Sequence, residues 1–557
     1  MLDKANKTAT SAQETAGPPQ DFQEHLARLE ARGLLTRIDR PINKDTELHP
    51  LARWQFQGGL AESERRAFLF THVVDSAGRR YDMPVAVGAL AASADIYAVG
   101  MGRPVAEIGA AWTNAIAHPI APVSVSAPPC QEVVVTGDAL RGAGRGLMAL
   151  PVPVSTPGFD AAPYLTATLA VTHDPETGVR NMGTYRAQLK ASDRLGVRMA
   201  ARIGGAGGYQ HWLKHRKMKT PMPCAIVIGA APVVVFTGPQ KLALDFDEMA
   251  VAGALAGAPI RTVKCVTIDC EVPADAEIVI EGLIDPELLE PEGPFGESHG
   301  HVALEDFNMS MQVTAITHKR APVFVSIISQ VTPSESSVIK RVAYEPVFLS
   351  HLRDQLSIKG IKRVVLHEPL TNIRPLIFLQ FAPGVPRTEV WRGLQGAAML
   401  KADCGKIVIA VSDDIDPTNT DAVFWSLAYR AHMGEDLHVT PYRSGGHGPK
   451  PEGGRKGDST LMIDATLKGP MPPLALPARD FMEKARAIWE ELGLPRLAPQ
   501  PPWHGYSLGD WDAAWDTYAR RATEGAWAQS GIDTFARRRP GLTPETPVRE
   551  TEKKGGK

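Results

Sequence analysis

The segment Leu289-Glu-Pro-Glu-Gly-Pro-Phe-Gly-Glu-Ser-His-Gly300 sets two carboxylates, Glu292 and Glu297, around Gly293, Pro294 and Gly296. Glycine and proline at these positions disfavour a helix, so both acids are expected on a tight irregular loop leaving a strand. Two carboxylates confined near one another cannot both ionise freely, and one is pushed toward neutral pH, where it can shuttle a proton. A solvated acidic Gly-Pro turn is the competing reading of the same residues.

Asn181-Met-Gly-Thr-Tyr-Arg186 follows the turn HDPETGVR. On a continuous strand, Asn181 and Arg186 would project to opposite faces and serve different partners. Arg186 could grip a substrate carboxylate through a bidentate fork that a lysine cannot reproduce, or be an exposed strand arginine. Further along, Gly204 to Gly208 holds four glycines in five residues and leads into the basic stretch YQHWLKHRKMK. A glycine-rich turn at a helix N-terminus can cradle phosphate with backbone N–H groups. The stretch has no GxxxxGK[ST] or GxGxxG pattern, and HWLKH lacks the glutamate of the zinc-protease motif, although His211 and His215 share a helical face. Asp245-Phe-Asp-Glu248 precedes the small-residue helix MAVAGALAGA, where acids also serve as ordinary caps.

The surrounding chain reads as a mixed fold. Phe22, Leu26 and Leu29 recur at helical spacing until Gly33, and the runs AFLFTHVV and MPVAVGAL that follow are extended. Recurring prolines between Ala121 and Pro163 place a boundary near Ala121. From Tyr164 the runs LTATLAVTH, CAIVIGAAPVVVF, RTVKCVTIDCEV, AEIVIEGLI, MQVTAITHK and PVFVSIIS suggest a barrel or sandwich, broken by helices around Tyr209–Lys219 and Asp245–Ala256. After Ser337 helical and strand patterns alternate, as in an α/β layer. Tyr442–Asp458 is a glycine-rich basic loop and Arg549–Lys557 a charged tail.

Composition excludes several function classes. Sixty Lys and Arg against 62 Asp and Glu leave a net charge of −2, so no global field favours a polyanion and nucleic acid is not expected. No apolar run reaches the roughly 18 residues of a membrane-spanning helix, and the first twenty residues, lacking a basic start and apolar core, read as a disordered arm. Five scattered cysteines fit a reduced compartment, hence the cytoplasm.

Taken together, these segments resemble the UbiD family of decarboxylases, which use prenylated FMN, from about Asp21 to Thr466. The acidic loop EGPFGE is the most specific match. Others are RGLLTRIDRPI, ALPVPVSTPGFDAAPYLTATLAVTHDPETGVRNMGTYR, DEMAVAGALAGAPIRTVKCVTIDCEVPADAEIVIEG, VSDDIDPTN and STLMIDAT, in family order.

The resemblance implies a catalytic network of Arg186, Glu292 and Glu297, with Glu297 exchanging protons at the reacting carbon and Glu292 tuning Arg186. It implies cofactor contacts at Asn181, Met182, Thr184, Gln210 and His211, and a divalent ion (Mn2+, Mg2+ or Fe2+) on Asn181, His211 and Glu248, with His215 as substitute for His211. A potassium ion supported by Arg430 belongs to the same pattern.

The implied fold is a multidomain α/β and α+β chain. It comprises an arm (1–20), an N-terminal α+β domain (21–120), a flavin-reductase-like split β-barrel (121–335), an α/β oligomerisation domain (336–500) and an extension with tail (501–557). In that extension Trp503, Trp511, Trp515 and Trp527 could anchor assembly or simply pack a terminal helix. The implied partners are an aromatic or α,β-unsaturated acid, a flavin prenyltransferase supplying the cofactor, and further copies of the chain in a homodimer or homohexamer. Lys214, His215, Arg216, Lys217 and Lys219 could grip the phosphates of a thioester such as phthaloyl-CoA, or form a solvated basic face. A non-catalytic flavin-binding subunit and a flavin oxidoreductase are the alternative functions.

Overall fold

The computed structural model describes residues 17–199, 206–240, 242, 246–401, 404–443, 457–469, 471, 479–497, 516–538, 540 and 543. The expected arm up to residue 16, Gly204 and Gly205, Asp245, the loop 444–456, Trp503, Trp511, Trp515 and the tail lie outside the described residues, as does the Trp527 side chain. The chain divides into two compact units, Met1–Ala410 with His432–Asp464, and Val411–Ala431 with Ala465–Lys557.

In the first unit, the helix Phe22–Ala31 starts where the Asp21 carboxylate accepts the Glu24 N–H at 2.8 Å, and it buries Phe22, Leu26 and Leu29. It precedes a four-stranded sheet ordered Leu35–Ile38, Ala67–Phe70, Val85–Val87, Phe324–Val325. The run PVFVSIIS therefore leaves the central β series. The Phe324 and Ser326 N–H groups bond to the carbonyls of Pro84 and Ala86, at 2.9 and 3.0 Å. Likewise CAIVIGAAPVVVF is not one strand. Its backbone turns at Gly229 (φ +69°), and Pro232, without an N–H to lose, opens a short helix Pro232–Thr237. RTVKCVTIDCEV forms a separate small sheet with Val123–Ser124.

The central element is a nine-stranded antiparallel sheet in the order Arg180–Gly183, Thr168–His173, Met222–Ile228, Ile278–Glu292, Asp306–His318, Arg194–Val197, Ala187–Ala191, Tyr164–Leu165, with Val133–Thr136 also on Asp306–His318. Alternating Ile, Val and Leu at 169, 171, 226, 278 and 280 fill its core. Register shifts between Glu281 and Gly282, and between Ile284 and Leu289, bend the longest strand before it ends at Glu292. The helices Gly207–Met218 and Glu248–Ala256 occupy the two places where helical insertions are expected.

After the helix Glu335–Ser350, a five-stranded sheet runs in the order Ile361–His367, Leu376–Phe381, Ile407–Ser412, Asp458–Ala465, Leu437–Arg443, with the helix Arg387–Leu400 between its second and third strands in sequence. This is the predicted α/β alternation. The second unit holds the helices Thr420–Arg430, Arg479–Glu491, Asp516–Thr523 and Trp527–Ala536, and an Arg521–Asp533 ion pair of 2.5 Å links the last two. The described residues contain no helix long and apolar enough to cross a membrane.

Candidate active site

Asn181 and Arg186 do not share a strand. The strand Arg180–Gly183 stops, Thr184–Arg186 form a break, and a new strand starts at Ala187. The cause is local. The Tyr185 ring folds over Gly183, where a Cβ would leave it no room, and the Thr168 hydroxyl donates to the Tyr185 carbonyl. The condition of a continuous strand is therefore not met, and the five-residue spacing says nothing about opposite faces.

Arg186 meets both acids of the EGPFGE segment. Its Nε and Nη2 donate to the two oxygens of Glu292 at 2.8 Å each, and Nη1 donates to Glu297. Its guanidinium sits 4.6 Å from the Phe295 ring centroid and 6.0 Å from that of Tyr164. Glu292 closes the long strand and is fully buried; Asn308 donates to it at 3.3 Å, and Arg198 lies 3.9 Å away. Glu297 lies beyond the short strand Phe295–Gly296, in a turn closed by its N–H to the His301 carbonyl, and its side chain keeps 24% exposure.

Burial pushes the Glu297 carboxyl upward, but the Arg186 guanidinium, helped by Arg198 and His299, outweighs it and holds Glu297 below the usual carboxylate range. The sequence expectation of a carboxyl raised toward neutrality is thus reversed at Glu297, because the spacing of two acids does not show the cation between them.

A second polar group gathers on the other side of the break. Asn181 pairs in register with Thr172, whose hydroxyl is 2.9 Å from His211 Nδ1, and the Glu248 carboxylate accepts the Met182 N–H at 2.9 Å. His211 projects from the helix that begins at Gly207, where a Cβ would collide with the Asn181 amide oxygen. His215, one turn on, instead faces Thr220 at 3.1 Å. Burial raises Glu248 to about 7 and lowers His211 to about 4. No cluster of three His, Cys, Asp or Glu side chains close enough to hold a metal exists among the described residues; the third donor here is an amide. Thr184 is exposed in the break, and Gln210 is half-buried in the first helical turn.

The chain matches two family models, the 3-octaprenyl-4-hydroxybenzoate carboxy-lyase Rift-related domain over residues 122–331 and the C-terminal domain of the same carboxy-lyase over 341–465. It belongs to the UbiD family. As a UbiD-family chain it is a carboxy-lyase. The UbiD-class enzyme HmfF from Pelotomaculum thermopropionicum, in complex with FMN, is 29% identical with a TM-score of 0.70, over 88% of this chain and 99% of HmfF. An evolved dimeric HmfF in complex with prFMN is 28% identical with the same score, over 83% and 98%. An uncharacterised Synechocystis protein, sll0936, is 27% identical over 88% of this chain and 97% of its own length. Vanillic acid decarboxylase of Sedimentibacter hydroxybenzoicus, 24% identical with a TM-score of 0.69 over 86% and 99%, shares the fold.

Several residues around the UbiD loop escape sequence reasoning. Asn308 comes from the strand Asp306–His318 and Arg198 directly follows the strand Arg194–Val197, and no local pattern marks them. Phe295 was visible inside EGPFGE, and Tyr164 at the end of DAAPY, but only the fold stacks them on Arg186. In the second unit, Arg430 forms a bidentate pair with Asp414 at 2.8 and 2.6 Å and lies 5.0 Å from the Trp425 ring centroid. On the basic helix, Lys214 pairs with Asp174 at 2.6 Å and Glu176 at 2.9 Å, and His215 is buried, so Arg216, Lys217 and Lys219 are the exposed cations.

Proposed function

We propose that this chain is a non-oxidative, reversible decarboxylase of an aromatic or α,β-unsaturated carboxylic acid that uses prenylated FMN. The observation that carries this reading is Arg186 held between Glu292 and Glu297 in a UbiD-family chain. The prFMN and FMN complexes of HmfF support the cofactor. When bound, prenylated FMN supplies the electron sink that a departing carboxylate requires and that no side chain offers.

The residues present fit that cofactor and its ions. An amide oxygen, an imidazole nitrogen and a carboxylate, from Asn181, His211 and Glu248, suit Mn2+, Mg2+ or Fe2+. The buried Glu248, raised by desolvation that Arg180 does not offset, supports a cation there. With Nδ1 engaged by Thr172, His211 would ligate through Nε2. Gln210 and the N–H groups opening the Gly207–Met218 helix would meet the cofactor phosphate, with Met182 and Thr184 alongside and a potassium ion as second counter-charge. The nine-stranded sheet would be the split barrel of residues 121–335, followed by an oligomerisation domain over 336–500.

At the reacting centre, Glu292 fixes one edge of Arg186, and Glu297 covers the Nη1 that an incoming carboxylate needs. Glu292 is fully buried and shared with Asn308, whereas Glu297 is partly exposed, so Glu297 yields. Released from Arg186 it keeps its burial penalty, takes up a proton, and delivers it to the carbon from which carbon dioxide departs.

The finer substrate reading is an aromatic acyl-CoA thioester such as phthaloyl-CoA, supported by the exposed Arg216, Lys217 and Lys219. The exposed edge strand Leu437–Arg443 supports assembly into a homodimer or homohexamer.

Co-expression with a flavin prenyltransferase, mass spectrometry of the bound cofactor, and assay of carbon dioxide release without any external reductant test the proposal. Prenylated FMN with release from an aromatic acid is expected. Recovery of unmodified FMN from an active preparation, or turnover only with a pyridine nucleotide, overturns it.

A further inference from the structure

The backbone on both sides of Glu297 is fastened to distant parts of the chain. Upstream, the Gly296 N–H donates to Asp160 Oδ1 at 2.8 Å, while Asp160 Oδ2 takes the Thr156 N–H at 2.7 Å. The Pro294 carbonyl accepts the Ala161 N–H at 3.0 Å and the Tyr164 hydroxyl at 3.3 Å. A Cβ at Gly296 would strike the Thr156 hydroxyl, so the loop lies directly against the 156–161 turn. Arg53 braces that turn from behind, with Nη2 donating to the Ser155 carbonyl at 3.3 Å and to the Thr156 hydroxyl at 3.4 Å.

Downstream, the Ser298 carbonyl accepts the Asn372 N–H at 3.0 Å, and Gly300 abuts the Leu370 carbonyl with no room for a Cβ. The 370–374 strap is itself held in an unusual shape. Leu370 and Arg374 have left-handed φ values of 58° and 53°, which non-glycine residues keep only where their surroundings over-determine them. Arg374 is buried 4.7 Å from the Tyr344 ring centroid with Nε 3.5 Å from Cys404 Sγ, and the fully buried Asn372 side chain donates to Ser336 at 2.7 Å.

We propose that Asp160 and Asn372 are positioning residues that pin the backbone on either side of Glu297, so that the acid swings on its side-chain torsions between Arg186 and the reacting carbon without the loop moving. This rests on the decarboxylase reading. Glu297 is the central one of the three residues that run from the pinned Gly296 N–H to the pinned Ser298 C=O, and its own side chain remains partly exposed. Pre-set placement matters because a displacement of about 1 Å at a reacting group can cost about a hundredfold in rate.

Asp160→Asn and Asn372→Ala test the inference in the full chain. At position 160 an amide cannot accept both N–H groups, so one is left facing a donor. Hydrogen exchange of the 293–301 segment, followed by mass spectrometry, is expected to speed up at least about tenfold in Asp160→Asn, as expected for loss of one charge-assisted bond, with no cofactor needed. In the prenylated-FMN enzyme kcat is expected to fall about ten- to hundredfold for each variant, with KM changed less than about threefold and cofactor absorbance unchanged. Unchanged protection of the segment, or kcat equal to wild type in both variants, overturns the pin. Faster exchange in Asp160→Asn, together with a cofactor-loaded wild type that releases no carbon dioxide, would keep the pin and sink the decarboxylase reading instead, so the two failures are separable. Should Asp160→Asn fail to fold, Asn372→Ala, which keeps the backbone N–H to Ser298 but frees the strap from Ser336, is expected to speed exchange of the same segment and carries both measurements.

Discussion

Two polar centres flank the break at Thr184–Arg186, and their charges are balanced in opposite ways. On the Arg186 side one guanidinium faces two carboxylates, and Glu297 is held below its ordinary pKa. On the Asn181 side Glu248 is buried, accepts the Met182 N–H, and is raised to about 7, while burial favours the neutral ring of His211. The same side-chain type is shifted in opposite directions because Glu297 accepts directly from a guanidinium, whereas Glu248 accepts from a backbone N–H and Arg180 does not offset its burial. The first centre is suited to exchanging one anion for another, the second to accepting a cation.

The largest effect should come from removing the mobile acid of the first centre. Glu297→Gln is expected to lower decarboxylation and exchange of the product's carbon-bound proton with deuterium by about a thousandfold, within the range of a lost general acid, while the cofactor stays bound. Nuclear magnetic resonance of the product in deuterated buffer measures it. Arg186→Lys should cost about a hundredfold in kcat/KM and lower the melting temperature, since a point charge cannot serve both oxygens of the buried Glu292. Wild-type exchange in Glu297→Gln would break the comparison at its first term.

The second centre should respond to metal instead. Manganese at about a hundredfold over its dissociation constant is expected to stabilise the chain by about 2.7 kcal/mol, read as a rise in melting temperature. Glu248→Gln should lose that rise and Glu297→Gln should keep it. If both variants lose it, the two centres are not independent.

Much of this arrangement was legible from residue types. Glycine and proline in EGPFGE marked a departure from helix, and Glu297 does lie in a turn, whereas Glu292 is the last residue of the long strand rather than part of a loop; the two acids meet across Arg186. The Gly207 position carried a signal too, because only glycine fits where a helix end meets Asn181. What the sequence could not carry was long-range. The strand break at Thr184 depends on Tyr185 folding onto Gly183 and on Thr168 from another strand. The sign of the Glu297 shift depends on an arginine 111 residues away. PVVVF reads as a strand on β-branched content alone, yet Gly229 and Pro232 turn it into a helix. In each case tertiary contact overrides a local pattern.

A smaller and sharper consequence concerns protons. In the free protein Glu297 is deprotonated at neutral pH, since Arg186 holds its pKa down. Once a carboxylate takes its place on Arg186, the largest lowering influence is gone and burial, opposed only by the weaker pull of Arg198, His299 and the Ser298 N–H, drives the pKa up, so binding at pH 7 should take up as much as one proton per site. Calorimetry of an unreactive aromatic carboxylate in phosphate and in Tris, whose ionisation heats differ, reads this directly. Glu297→Gln should bind with no buffer dependence. Equal heats in both buffers for the wild type would mean that Glu297 never leaves Arg186.

The smallest expected effect lies outside both centres, on the helix that carries His211. Its exposed cations sit in the last turn, where Arg216 lies 5.2 Å from the Trp212 ring centroid and Lys219 caps the helix in a left-handed conformation. Arg216→Gln, Lys217→Gln and Lys219→Asn together remove the charge while asparagine tolerates that backbone. Turnover of a small free acid should change by less than about twofold, since exposed charges contribute little beyond about 10 Å at ordinary salt. With a coenzyme A thioester KM should rise about tenfold, and the rise should shrink as salt increases, because the lost attraction is a screened one. Equal, small responses of free acid and thioester would leave these residues as a solvated face and confine substrate recognition to the Arg186 side of the break.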